Sequence, residues 1–344
     1  MTDLMSAPRE NVLVVAKTGR IAALDFVKGA LVLVMVLYHW LNYFVEADYV
    51  YRYLRFLTPS FIFITGFIIS NSRLSRTEHK DGRTWRRLAH RGLKILAVFI
   101  VLNVIRVMMV EGSSLTPSYD SFVRTYITGT SVGGGSEKAA SFFILVPIAY
   151  LLFIAALLTV AVKYFRNVVH VATGLSFLVI ALLAINGQQS NILEMVSAGL
   201  LGASVGYIPI ERINAFAHRR FVVAPLIVGY LVALSKWGEV YALQIVGVFL
   251  MLTVMYVAYG DADKPDKIRQ VVVLLGKYSL VGYIGQIAVL QVLRRSMDHV
   301  DLGDATRYVA LVGTITLTVL IAWVTDRARS KAIVIDRLYV AVFG

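Results

Sequence analysis

Cysteine is absent from the 344 residues, which excludes disulfides, thiolate catalysis, zinc–thiolate centres and iron–sulfur clusters. Charge is scarce as well. Asp, Glu, Lys and Arg make up 16% of the chain and apolar residues 58%, against roughly 25% and 45–50% in a soluble domain. So little polar surface cannot cover a water-facing globule, and an ordinary soluble enzyme, a disordered protein and a free-standing nucleic-acid binder are all excluded. There is no internal repeat and no low-complexity tract, and no paired Gly/Pro breaks in matching halves point to an inverted-repeat transporter. The run Gly133-Gly134-Gly135 lacks a lysine at Walker spacing and makes no phosphate loop. The polar first 20 residues lead into a full-length apolar span rather than a cleavable leader.

What the chain has is long apolar segments, each near the roughly 20 residues that cross a bilayer as a helix. About ten are expected, at 26–44, 56–72, 92–110, 141–162, 168–186, 192–209, 221–235, 240–259, 271–293 and 307–325. The fold class is therefore all-α, a polytopic integral membrane protein of one domain over 1–344 with tails at 1–20 and 326–344. An even number of spans puts both termini on one side. With that side cytoplasmic, 25 of the 34 Lys and Arg lie inside, and the net charge is +14 inside against −1 outside. The positive-inside rule thus predicts that both termini are cytoplasmic, and the expected location is a cell inner (plasma) membrane. The overall +13 then belongs to the face that meets anionic lipid or an anionic co-substrate, and nucleic acid is not needed to explain it.

The densest basic run is 73–94, with Arg86, Arg87, Arg91 and Lys94 at its end. It reads either as a topology signal or as a site for a phosphate-rich ligand. The polar connection 111–140 reads as a lid or a plain linker. Of six histidines only His39 lies inside an apolar run; it reads either as a structural histidine or as a residue that takes and returns a proton. His39 follows Lys28 by eleven residues. At 100° per residue the two share one helix face, about 16 Å apart along the axis. Asp25 is spaced to pair with Lys28 and lies about 21 Å from His39, too far to orient the imidazole. Asn42, one turn beyond His39, is placed to hydrogen-bond the ring or a substrate.

Other polar groups within spans are Asn103 and Arg106, a stripe whose arginine suits an ion pair with Glu111 or Glu46 or an acyl oxygen. Glu194 stands at a helix start, where a carboxylate is favoured, or contacts substrate. Tyr283 and Gln286 are placed for interhelical hydrogen bonds, with substrate contact the alternative for Gln286. Tyr38 and Trp40 flank His39 as interfacial anchors or sugar-stacking rings. The pattern offers no metal-ligand cluster.

The stretch 20-RIAALDFVKGALVLVMVLYHWLNYF-44 resembles the first membrane helix of the acyltransferase type 3 superfamily, including the glucan succinyltransferases and the heparan-α-glucosaminide N-acetyltransferase group. Those proteins begin with an Arg, an Asp, an Arg-Gly pair and a His eleven residues after that Arg. Here these are Arg20, Asp25, Lys28-Gly29 and His39, with lysine replacing the family's bidentate arginine. Thr65-Gly66-Phe67 is similar to a Ser-Gly-Phe signature, Arg91 and Lys94 to an Arg-x-x-Arg, and 275-LGKYSLVGYIGQ-286 to a late helix in which many relatives carry a second His at Gln286. The resemblance implies transfer of an acyl group, acetyl or succinyl, from cytoplasmic acyl-CoA to a hydroxyl or amine of a glycan or lipid-linked sugar. Acyl-CoA would be a co-substrate, with no permanently bound cofactor, membrane lipid as surroundings and a homo-oligomer open. Lys28, Arg86, Arg87, Arg91 and Lys94 would hold the CoA phosphates, and His39 would act as general base or transient acyl acceptor. The rival reading is a proton-coupled transporter or flippase of a polar lipid-linked substrate, with His39 as its relay.

Overall fold

A computed structural model describes residues 21–45, 48–71, 83–110, 130–133, 136–139, 142–238, 240–260, 266–297 and 305–343. Its helices in chain order are α1 Ala22–Trp40, α2 Asp48–Leu54, α3 Leu57–Ile69, α4 Arg83–Val110, α5 Leu145–Ala161, α6 Val168–Ile185, α7 Asn191–Val205, α8 Ile210–Ala217, α9 Arg220–Trp237, α10 Tyr241–Tyr259, α11 Lys267–Lys277, α12 Ser279–Met297, α13 Ala305–Lys331 and α14 Ile333–Phe343. The α1 helix widens into a π-helical turn over Leu41–Val45. Among the described residues the strands are those of one antiparallel hairpin, Thr130–Gly133 and Ser136–Ala139, with Thr130 opposite Ala139 and Gly133 opposite Ser136. It falls within the polar connection 111–140 expected to be a lid or linker. Helix dominates because a lipid-embedded backbone has to satisfy its own N–H and C=O groups.

Among the described residues six helical stretches are long and apolar enough to cross a membrane: Ala22–Val45, Val50–Ile69, Thr84–Ile105, Val168–Ile185, Tyr241–Tyr259 and Ala305–Lys331. The number rises to eight if each of two bent pairs is one span. Two shorter apolar helices, Leu145–Ala161 and Phe221–Trp237, coincide with two further expected segments. The segment expected as a single span at 271–293 is bent within itself, and this corrects the expectation, whereas 192–209 holds the unbroken α7 and ends where the other bent pair turns. After Val205 the chain turns by 105° into α8. Pro209 stands at that helix's N-cap, where a proline has no N–H to continue the preceding ladder. Between α11 and α12 the bend is 91°, at Tyr278, whose φ of −111° and ψ of 29° leave the helical region. Asp266 caps α11 by accepting from the Arg269 N–H at 2.7 Å. Within the stretch 326–344, expected as a tail, residues 326–343 are the end of α13 followed by α14. Arg329 joins them, paired with Asp336 at 2.6 Å and stacked 3.9 Å above the Tyr339 ring.

The chain divides into two compact units, Met1–Glu46 with Leu252–Thr325, and Ala47–Met251 with Asp326–Gly344. In the first, α1 packs against α11 and α12. Gly29 and Gly276 let α1 and α11 cross backbone to backbone, since a Cβ on either would overlap the other helix's carbonyl oxygen, of Val272 or of Asp25. Trp40 Nε1 donates to the Arg307 carbonyl at 2.7 Å, tying α1 to the start of α13. In the second unit α3 packs on α7, α4 on α5, α6 on α7 and α14 on α4. The α3–α7 crossing again uses glycine, with Gly66 against the Gly199 carbonyl and Gly202 against that of Phe63. Small residues do this work because lipid tails are as apolar as leucine, so helices associate through close van der Waals contact.

Candidate active site

In the first unit, α1 is unbroken from Ala22 to Trp40, so Lys28 and His39 keep their common face and their separation of about 16 Å. Lys28 Nζ lies 2.5 Å from Asp25 Oδ1, and the pair sits beside the Gly29–Gly276 crossing. At the other end His39 is in the last α-helical turn, directly before the π turn. Its Nε2 is buried and has no hydrogen-bond partner, while the Tyr38 ring stands edge-on to the imidazole at 5.3 Å. Asn42 is exposed in the π turn and does not bond Nε2.

Facing this end of α1 is α12. Its buried stripe is Gly282, Tyr283, Gln286, Ile287 and Leu290. The Tyr283 hydroxyl lies within electrostatic reach of those of Tyr38 and Tyr43. Arg294 covers the Tyr43 ring at 5.6 Å. Gln286 is 0% exposed, and both its Oε1 and Nε2 lack a hydrogen-bond partner. The α13 hydroxyls of Thr314 and Thr318 are satisfied by their own helix, donating to Ala310 O at 2.6 Å and Thr314 O at 2.7 Å. The structure therefore gathers His39, Tyr38, Tyr283 and Gln286 within one unit.

In the second unit, Arg86, Arg87 and Arg91 are exposed on the first turns of α4 and Lys94 is half-buried. Arg86 lies 5.4 Å from the Trp85 ring centroid, and Lys94 donates to the Val340 carbonyl at 3.1 Å. Arg87, Arg91 and Lys94, at i, i+4 and i+7, form one basic strip. Glu194 occupies the first turn of α7. Its carbonyl accepts from the Tyr241 hydroxyl at 2.8 Å, and its carboxylate is within electrostatic reach of Arg55. Asn103 is buried, donating to Phe99 O at 3.0 Å. Arg106 lies on α4, its side chain outside the described residues, as is Arg20. Among the described residues no group of three or more His, Asp or Glu could hold a metal ion.

Sequence reasoning missed the Trp40–Arg307 link, the Arg294–Tyr43 stack and the glycine crossings. The glycines inside the four segments that cross, Gly29, Gly66, Gly199, Gly202 and Gly276, were the available signal for the last of these.

Helices long and apolar enough to cross a bilayer mark a multi-pass membrane protein, and the buried His39 Nε2 lies unpartnered within its first such helix. The sequence matches the family model for an acyltransferase domain, of type 3, over residues 21–327, and the chain belongs to the acyltransferase type 3 family. It is a membrane acyltransferase. No curated protein and no solved structure matches it significantly.

Proposed function

We propose that this protein transfers a short acyl group, acetyl or succinyl, from cytoplasmic acyl-CoA to a hydroxyl or amine of a glycan or lipid-linked sugar, with His39 as the general base. The observation that carries this reading is the buried His39 Nε2, a basic nitrogen with no protein partner, in a chain of an acyltransferase family. A neutral imidazole nitrogen in that condition accepts the proton of an acceptor hydroxyl as the oxygen attacks the thioester, then returns it to the departing thiolate. The cations Arg86, Arg87, Arg91 and Lys94 are the proposed anchors for CoA phosphates through charge-assisted hydrogen bonds, and Lys28 is proposed for the same role. Ten spans, both termini cytoplasmic and an inner-membrane location belong to the same proposal, supported by the charge asymmetry of the connections.

The test is acyl transfer from radiolabelled acetyl-CoA and succinyl-CoA in membranes, wild type against His39→Ala at matched expression. Label entering a glycan fraction with wild type alone supports donor and mechanism together. Equal label with the variant refutes His39 as the base. Label from neither donor, with folded protein and acceptor present, refutes the acyl-CoA reading and favours the transporter. A covalent label retained on wild-type protein and lost from the variant would assign His39 as transient acyl acceptor instead.

A further inference from the structure

Buried amides are almost always hydrogen-bonded, because desolvating their donors and acceptors without replacement costs free energy. Gln286 breaks that rule twice, at Oε1 and at Nε2, with none of its surface exposed. His39 breaks it at Nε2. Two contacts set the relative height of these residues. A Cβ on Gly282 would lie 3.3 Å from Val32 Cγ1, and Arg294 stands over Tyr43. Both helices therefore advance in the same direction, with Gly282 level with Val32. At 1.5 Å per residue, Gln286 is about 6 Å beyond that level and His39 about 10 Å beyond it, so the two differ in height by about one helical turn. Gln286 sits in the middle of the α12 stripe that begins against Val32, and the hydroxyl of Tyr283, one turn before it, is within electrostatic reach of that of Tyr38, the neighbour of His39. Two unsatisfied polar side chains on adjacent helices thus bracket one stretch of an otherwise apolar interior.

We propose that Gln286 is a second catalytic residue, whose amide N–H donates to the carbonyl oxygen of the acyl thioester. This deepens the acyltransferase reading and rests on it. As the acceptor oxygen bonds to the carbonyl carbon, its proton passes to His39 Nε2 and the carbonyl electron pair moves onto oxygen, where the Gln286 N–H meets the developing negative charge. Collapse re-forms the C=O bond and breaks the C–S bond, and the sulfur takes the proton back from His39. The charges that appear and vanish lie in a water-poor interior, where one aimed donor counts for more than in water. Asparagine, one methylene shorter on the same helix, would not reach the same point. Leucine keeps the volume and removes both unsatisfied atoms.

Gln286→Leu separates this role from a structural one, with kinetics and melting measured on purified full-length protein in detergent. The expected result is a kcat for acetyl transfer lowered about 10²- to 10³-fold, the magnitude of losing one oxyanion donor. KM for acetyl-CoA should change less than about threefold, and the melting temperature should equal or exceed that of wild type, since an apolar isostere of an unpaired buried amide removes a desolvation cost. Wild-type activity with undiminished Gln286→Leu activity overturns this inference alone, as does an activity loss accompanied by a proportionate fall in melting temperature. A wild type that transfers nothing from acyl-CoA and shows no melting shift with acetyl-CoA overturns this inference together with the acyltransferase reading.

Discussion

The crossing of α1 and α11 offers the sharpest test of the packing. A Cβ on Gly276 would lie 1.6 Å from the Asp25 carbonyl oxygen and 2.9 Å from the Gly29 nitrogen. Both neighbours are backbone and cannot rotate away. Real Cβ atoms essentially never approach closer than 3.0 Å, so Gly276→Ala must push the helices apart by about 1 Å, the kind of overpacking that costs ~1–3 kcal/mol or more. Gly174 on α6 is the control, with nothing within 4 Å of its would-be Cβ. There alanine should stabilise by roughly 0.5–1 kcal/mol through helix propensity. Melting in detergent reads both, at about 2–4 °C per kcal/mol for a unit of this size. Gly276→Ala should lower the midpoint by about 5–10 °C and Gly174→Ala raise it by about 2–3 °C. Because the crossing adjoins the Asp25–Lys28 pair, Gly276→Ala should also reduce acyl transfer. Equal midpoints for the two variants would refute the backbone contact between α1 and α11.

Two further predictions follow from particular contacts. The Thr173 hydroxyl lies within hydrogen-bond distance of Val169 O at 2.8 Å, Leu200 O at 3.0 Å and Ser204 Oγ at 2.8 Å, linking α6 to α7. Thr173→Val keeps the shape and should cost about 0.6 kcal/mol, at most about 2, seen as a melting shift of a few degrees with acyl transfer unchanged. The cysteine-free sequence allows single-cysteine topology mapping without background. An impermeant maleimide applied to intact cells should label Gln188→Cys and spare Tyr164→Cys, at opposite ends of α6; the reverse pattern would overturn the proposed orientation.

The spanning helices were legible in the sequence because lipid imposes a local rule: a run of apolar residues has to become a helix wherever it lies in the chain. The shared face of Lys28 and His39 was legible for the same reason, since helical periodicity is local, and the family could be read from residues spaced along those helices. The bend at Tyr278 was not. The run 271–293 is apolar on both sides of it, and what separates α11 from α12 is the seating of α11 across α1 at Gly29 and Gly276, a contact between residues nearly 250 positions apart. Gln286 looked like an ordinary interhelical hydrogen bonder. Only the packed structure leaves both ends of its amide unmatched, because satisfaction depends on which groups the neighbouring helices turn inward. Helix formation, membrane character and the position of His39 along its helix were therefore determined by the sequence alone, each fixed by interactions within a few residues. The tertiary structure decided which helices break, which cross at glycine and which polar side chains are left facing an apolar interior, since burial and hydrogen bonding are settled among segments far apart in the chain.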